Sequence, residues 1–104
     1  MKYRKATSKD LDSLSELFDA YRMFYHKSTD LEGAKTFLEE RISNKDSEIF
    51  IAETIENEIV GFVQLYPLFS STRMKKYWLL NDLFVHPDAR GNGISVALIQ
   101  KAKT

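Results

Sequence analysis

The stretch Leu83-Phe84-Val85-His86-Pro87-Asp88-Ala89-Arg90-Gly91-Asn92-Gly93-Ile94-Ser95 holds the residue types needed to bind an anion. An apolar run ends in a Pro/Asp turn. A short loop with one Arg and two Gly then opens directly into a helical pattern. That layout gathers backbone N–H groups and the positive end of a helix dipole around one point, which is what phosphate binding requires. Just upstream, Asp82 is a carboxylate that could take up a proton, with Asn81 beside it. Tyr21, Tyr25, Tyr66 and Tyr77 could line a ligand pocket, although packing is the commoner role of such rings.

Two common phosphate loops are absent. There is no G-x-x-x-x-G-K-[ST] and no G-x-G-x-x-G, so neither a Walker nor a Rossmann site is expected. What remains is Arg90-x-x-Gly93-x-Ser95 after a strand ending in Val-x-Pro. His26 and His86 have no ligand spacing, so no metal is expected.

The elements that must position these residues follow from periodicity. Lys2 to Ala6 reads as a short strand. Thr7 or Ser8 can cap a helix whose face carries Leu11, Leu14, Phe18, Tyr21 and Tyr25 at spacings of three and four. Thr29 and Glu32 form a capping-box pair before a second helix, with Leu31, Ala34, Leu38 and Ile42, ending near Ser43. Glu48 to Ile55 is β-branched and aromatic, hence a strand. Glu56-Asn57-Glu58 is a tight turn, and Ile59 to Tyr66 returns, with an extension past Pro67 to Phe69 allowed. Ser70 to Lys76 reads as a basic loop, and Tyr77 to Val85 as a long strand. Leu80, Leu83 and Val85 cannot share one face of a regular strand, so a bulge is expected near Asn81-Asp82. From Gly91 a final helix follows.

Composition sets the frame. The chain has 104 residues, the size of one domain, with 43% apolar and 29% charged residues. It has no Cys, which excludes disulfides, thiolate metal sites and Cys nucleophiles and is compatible with a cytoplasmic location. No apolar run approaches a membrane span, and the N-terminus lacks a signal-peptide pattern. Net charge is zero but uneven: residues 10–58 carry 13 acidic against 5 basic side chains, and residues 59–104 carry 2 against 6. Solvated helix faces account for most of the acidic groups, Glu16 and Asp19 among them. The Arg73/Lys75/Lys76 cluster reads as solvated loop rather than as a nucleic-acid site.

The order β-α-α-β-β-β-α, with Arg90-x-x-Gly93-x-Ser95 after the fourth strand, resembles the GCN5-related N-acetyltransferases, whose central motif is [Q/R]-x-x-G-x-[G/A]. Ser95 departs from the usual Gly or Ala but is still small. The resemblance implies an α+β, sandwich-like half-fold with a mainly antiparallel sheet. It assigns acetyl-CoA to Arg90, Gly91, Asn92, Gly93, Ile94 and Ser95 for the pyrophosphate, and to the backbone of Leu83, Phe84 and Val85 for the pantetheine arm. The run Trp78 to Val85 is similar to that of diamine and thialysine acetyltransferases, with Asn81 where the first of two acids stands. It makes Asp82 the catalytic carboxylate and sets Asn81 and Asp82 against a small-molecule primary amine, with Tyr25 a candidate for lining the same acceptor pocket.

The family has further strands after this helix, so residues 1–104 are expected to form the N-terminal part of a single acyl-CoA N-acyltransferase domain, truncated at the C-terminus. The edge of strand 77–85 would then be unpaired and prone to cover itself in a homo-oligomer. The competing expectation is an inactive half-domain that acts as a strand-pairing assembly module. Neither membrane nor nucleic acid is expected as a partner.

Overall fold

The computed structural model describes residues 1–103. Seven elements follow one another: β1 (Lys2–Lys5), α1 (Leu11–Phe24), α2 (Leu31–Asn44), β2 (Glu48–Glu53), β3 (Ile59–Ser70), β4 (Lys75–Val85) and α3 (Ile94–Ala102). Single 3-10 turns lie at Ser8–Asp10 and Pro87–Ala89. The strands form one antiparallel sheet in the order β1-β2-β3-β4. This is the expected α+β architecture and element order.

The two-residue period of the strands divides the core into two layers. Ile49, Ile51, Phe62 and Phe84 point toward α1 and α2, meeting Leu14, Leu17, Phe18 and Leu38. Ala52, Val63 and Val85 point the other way, toward Ile94 and Leu98 of α3. The expected bulge is present. Gln64 pairs with Asp82, but Leu65 pairs with Leu80, so Asn81 is the extra residue. The bulge switches the parity of β4, which places Leu80 on the same face as Leu83 and Val85.

Several boundaries differ from expectation. Thr29 and Glu32 do not form the cap of α2. Asp30 is its N-cap and accepts from the Gly33 amide at 3.0 Å. Thr29 instead donates to Asp19 Oδ2 at 2.6 Å, and the Asp30 amide donates to Asp19 Oδ1 at 2.8 Å. Asp19 is thus a buried carboxylate that ties the α1–α2 connection, not a solvated one. These bonds hold it below the usual carboxylate range, the Asp30 amide foremost. The cap at Thr7 is as expected, with reciprocal bonds to Asp10.

β2 stops at Glu53, because Thr54 turns its backbone to Glu58 and Asn57. Ile55 lies outside the strand and is exposed. The basic loop is shorter than expected: β3 runs to Ser70 and β4 begins at Lys75, so Lys75 and Lys76 are strand residues. The final helix begins at Ile94 rather than Gly91, since Gly91 and Gly93 both adopt positive φ, +86° and +73°.

Candidate functional site

The end of β4 and the start of α3 are held together by close packing on β3. A Cβ on Gly61 would stand 3.2 Å from Leu98 Cδ1 and 3.3 Å from Ile94 Cγ2, so only Gly lets α3 sit this near the sheet. The chain leaves β4 through the Pro87–Ala89 turn, where His86 Nδ1 accepts from the Asp88 amide at 3.1 Å. Asn92 Nδ2 donates to the Ala89 carbonyl at 2.9 Å and closes the loop. Around Gly91 and Gly93 the space is open: nothing lies within 4 Å of either Cβ position. Glycine is required there by the positive φ. No side chain caps α3 among the described residues. Its first-turn N–H groups have no intrahelical acceptor, and the helix dipole places positive potential at that point.

Beside this loop lies a cleft of about 400 Å³ whose walls include Phe24, Tyr25, Leu83, Val85, Arg90 and Gly93. β4 is an edge strand, so one row of its backbone groups is open. The His86 amide donates to the Val60 carbonyl. Antiparallel ladders alternate, so Phe84 turns its backbone inward to β3 like His86, while Leu83 and Val85 turn theirs to the open edge. Of the three residues expected to pair with a pantetheine arm, Phe84 therefore turns its backbone groups to β3. It contributes its ring instead.

Asp82 shares the face of Phe84, two residues on, with the bulge just before it. The side chain points toward α1, where Oδ1 accepts from the Tyr21 hydroxyl at 2.8 Å and from Asn81 Nδ2 at 3.2 Å. Oδ2 accepts from Gln64 Nε2 at 3.0 Å. Gln64 is fully buried, and its Oε1 accepts from the Ser47 hydroxyl at 3.0 Å. Every donor to Asp82 is neutral, and no cation pairs with it among the described residues. Burial first, then Asp82, raises the Tyr21 phenol above its ordinary range. Burial and the Asp82 charge push Tyr66 up to about 12.

The site residues named from sequence thus divide into groups. Leu83, Phe84, Val85, Arg90, Gly91, Gly93, Ile94, Ser95 and Tyr25 meet at the cleft. Asn92 stabilises the loop without lining the cleft. The Ile94 side chain is buried under α3, which leaves its amide for a ligand. Asp82, buried on the α1 face, and the exposed bulge residue Asn81 are not cleft-lining residues. Tyr77 is a strand residue of the far part of β4, apart from the cleft. Sequence reasoning missed Phe24, which lies one position off the apolar stripe of α1, and Gln64, whose only signal was a polar residue within an apolar strand.

The family model for the acetyltransferase (GNAT) family matches residues 11–104. The chain belongs to the GNAT family of acetyltransferases. It is 47% identical over 103 residues to the uncharacterized N-acetyltransferase YhfO of Bacillus subtilis, spanning 99% of this chain and 68% of that protein. The crystal structure of a probable acetyltransferase, 41% identical, superposes with a TM-score of 0.94 over 99% of this chain and 69% of the other. A predicted acetyltransferase from Clostridium acetobutylicum, crystallised with acetyl-CoA, shares the fold at 20% identity and a TM-score of 0.76, over 98% of this chain and 73% of the other. The GNAT family uses acetyl-CoA as acyl donor, and the site of this GNAT chain fits that group. Its loop amides are open, its helix is uncapped, and the Leu83 and Val85 edge borders an apolar cleft.

Proposed function

We propose that this chain transfers an acetyl group from acetyl-CoA to the primary amine of a small molecule in the cytoplasm. The observation that carries the proposal is the uncapped N-terminus of α3, reached through Gly91 and Gly93 at positive φ and lying beside the open edge of β4. The amides of Gly91 to Ser95 would hold the pyrophosphate, and the backbone of Leu83 and Val85 the pantetheine arm. Bound there, acetyl-CoA supplies an activated thioester. Tyr25 and Asn81 meet the acceptor, and Asp82, set back from the cleft, takes up the proton the amine must lose through an intervening water. Asp82 suits this role because its charge is held by neutral donors only.

Calorimetric titration with acetyl-CoA tests the donor, and thiol release across polyamines, amino acids and aminoglycosides tests the acceptor. Absence of binding at millimolar acetyl-CoA overturns the donor assignment. Unchanged turnover in Asp82→Asn overturns the assignment of the base.

A second reading, assembly through strand pairing, is favoured by one observation. Tyr77, Trp78, Leu79 and Leu80 on the edge strand are 39 to 51% exposed. A second copy pairing along 77–85 would cover them. Sedimentation as a monodisperse monomer would sink this reading.

A further inference from the structure

Arg90 stands in the position that the family motif reserves for Arg or Gln, and its side chain is committed in an unexpected direction. Its Nε donates to the Val85 carbonyl at 2.9 Å. Its guanidinium carbon lies 5.1 Å from the centre of the Phe24 ring and 5.3 Å from that of Phe84. The two rings are themselves 6.0 Å apart. A guanidinium can stack through its face and donate through its edge at the same time, which lysine cannot do. Arg90 therefore joins three segments at once: the last residue of α1, the end of β4 and the loop before α3.

Phe24 has little else to hold it. Its ring is 55% exposed and its other ring contact is Tyr25, at 5.4 Å. Phe24 and Tyr25 form the wall of the cleft at the end of α1, while Gly91, Gly93, Ile94 and Ser95 form the wall at the helix end of α3. The head group of Arg90 sits at the first wall, although its backbone belongs to the second.

We propose that Arg90 is a positioning residue and not the counter-ion of the bound phosphates: it braces Phe24 over the cleft and fixes the Val85 carbonyl at the open strand edge. The inference rests on the acetyl-CoA reading above. Its consequence is that the two walls of the cleft are linked through one side chain, so a change at the end of α1 is felt by the cofactor loop.

Calorimetry with acetyl-CoA on the whole chain tests it, using Arg90→Met, Arg90→Gln, Phe24→Ala and the Arg90→Met/Phe24→Ala pair at low and high salt, with a thermal melt of each. Arg90→Met should weaken binding about fivefold, the scale of one net hydrogen bond. Its salt dependence should match that of the wild type. Phe24→Ala should add nothing in the Arg90→Met background, because the two act as a unit. Arg90→Gln, which keeps a donor for Val85, should recover part of the loss. A salt dependence that drops in Arg90→Met, with Phe24→Ala fully additive, would make Arg90 a counter-ion and overturn the inference. So would a loss of affinity that merely follows the melting temperature across the variants. If the wild type takes up no acetyl-CoA, the donor reading falls and this inference with it. If it binds and only the salt dependence changes, this inference alone falls.

Discussion

Gln64 and Asp82 face each other directly across β3 and β4, with Gln64 Nε2 donating to Asp82 Oδ2 at 3.0 Å. The pairing continues the register of Val63 with Leu83 and Phe62 with Phe84, and Asn81 bulges out of β4 just before it. Without the extra residue, Leu80 would share the face of Asp82. Ser47 completes the arrangement by donating to Gln64 Oε1, which leaves the amide only one way round. Gln64→Leu fills the volume but strands the Asp82 oxygen and the Ser47 hydroxyl. A cost of about 1–3 kcal/mol is expected for such unsatisfied groups, read as a lower urea midpoint. A midpoint equal to wild type would show that water replaces the amide without loss.

The same carboxylate governs two phenols. Negative charge at Asp82 opposes formation of a second negative charge, so it keeps Tyr21 and Tyr66 protonated beyond the ordinary value of 10.0. Burial is the larger cause at both positions and survives substitution. In Asp82→Asn the Tyr66 midpoint should therefore fall from about 12 toward, but not to, that ordinary value. Tyrosinate absorbance during alkaline titration reads this directly. An unmoved curve would mean that burial alone sets the phenol.

Much of this site is legible in the sequence, and the reasons for the rest are physical. The β-branched and aromatic runs of β2 and β3 and the apolar stripe on α1 mark the buried elements, so element order follows. The parity conflict among Leu80, Leu83 and Val85 locates the bulge, since side-chain direction has a strict period of two. Which backbone groups of β4 face outward is not readable that way, because it depends on the pairing register with β3. The cap of α2 went to Asp30 rather than Thr29 because the Thr29 hydroxyl had a buried partner in Asp19, ten residues earlier. Sequence places Arg90 in the pyrophosphate loop without saying where its side chain goes. Its actual partners, Val85 and Phe24, come together only in the tertiary fold.

Acid should loosen the N-terminal edge of the sheet. Arg4 donates to both Asp10 oxygens at 2.8 Å and to Glu53 at 3.1 and 3.2 Å. These bonds are the largest cause holding Asp10 below its ordinary 3.8 and Glu53 below its ordinary 4.5. A carboxylate depressed on folding stabilises fully above its unfolded value, and that contribution is lost as pH falls through the folded one. Wild-type stability should therefore decline from about pH 5 downward. Arg4→Leu should cost about 1.5–3 kcal/mol at neutral pH through Asp10 and flatten the acid decline. Urea denaturation between pH 3 and 7 measures both, and parallel curves for the two proteins would exclude Arg4 as the cause.

The last prediction concerns the distance between α3 and the sheet, on which the loop depends. In Gly61→Ala the new Cβ meets Leu98 Cδ1 at 3.2 Å, Ile94 Cγ2 at 3.3 Å and the Phe84 carbonyl oxygen at 3.4 Å. The oxygen belongs to the strand, so the helix must give way. Overpacking of this kind costs about 1–3 kcal/mol. Ile94 is the first residue of α3 and follows Gly93 directly, so movement of the helix carries the loop amides with it. Gly61→Ala should thus lower acetyl-CoA affinity beyond what its stability loss explains. Leu38→Val, in the layer between α2 and the sheet, provides the control: it should lower stability while leaving affinity unchanged. Equal affinity in Gly61→Ala and wild type would separate the loop from the packing of α3.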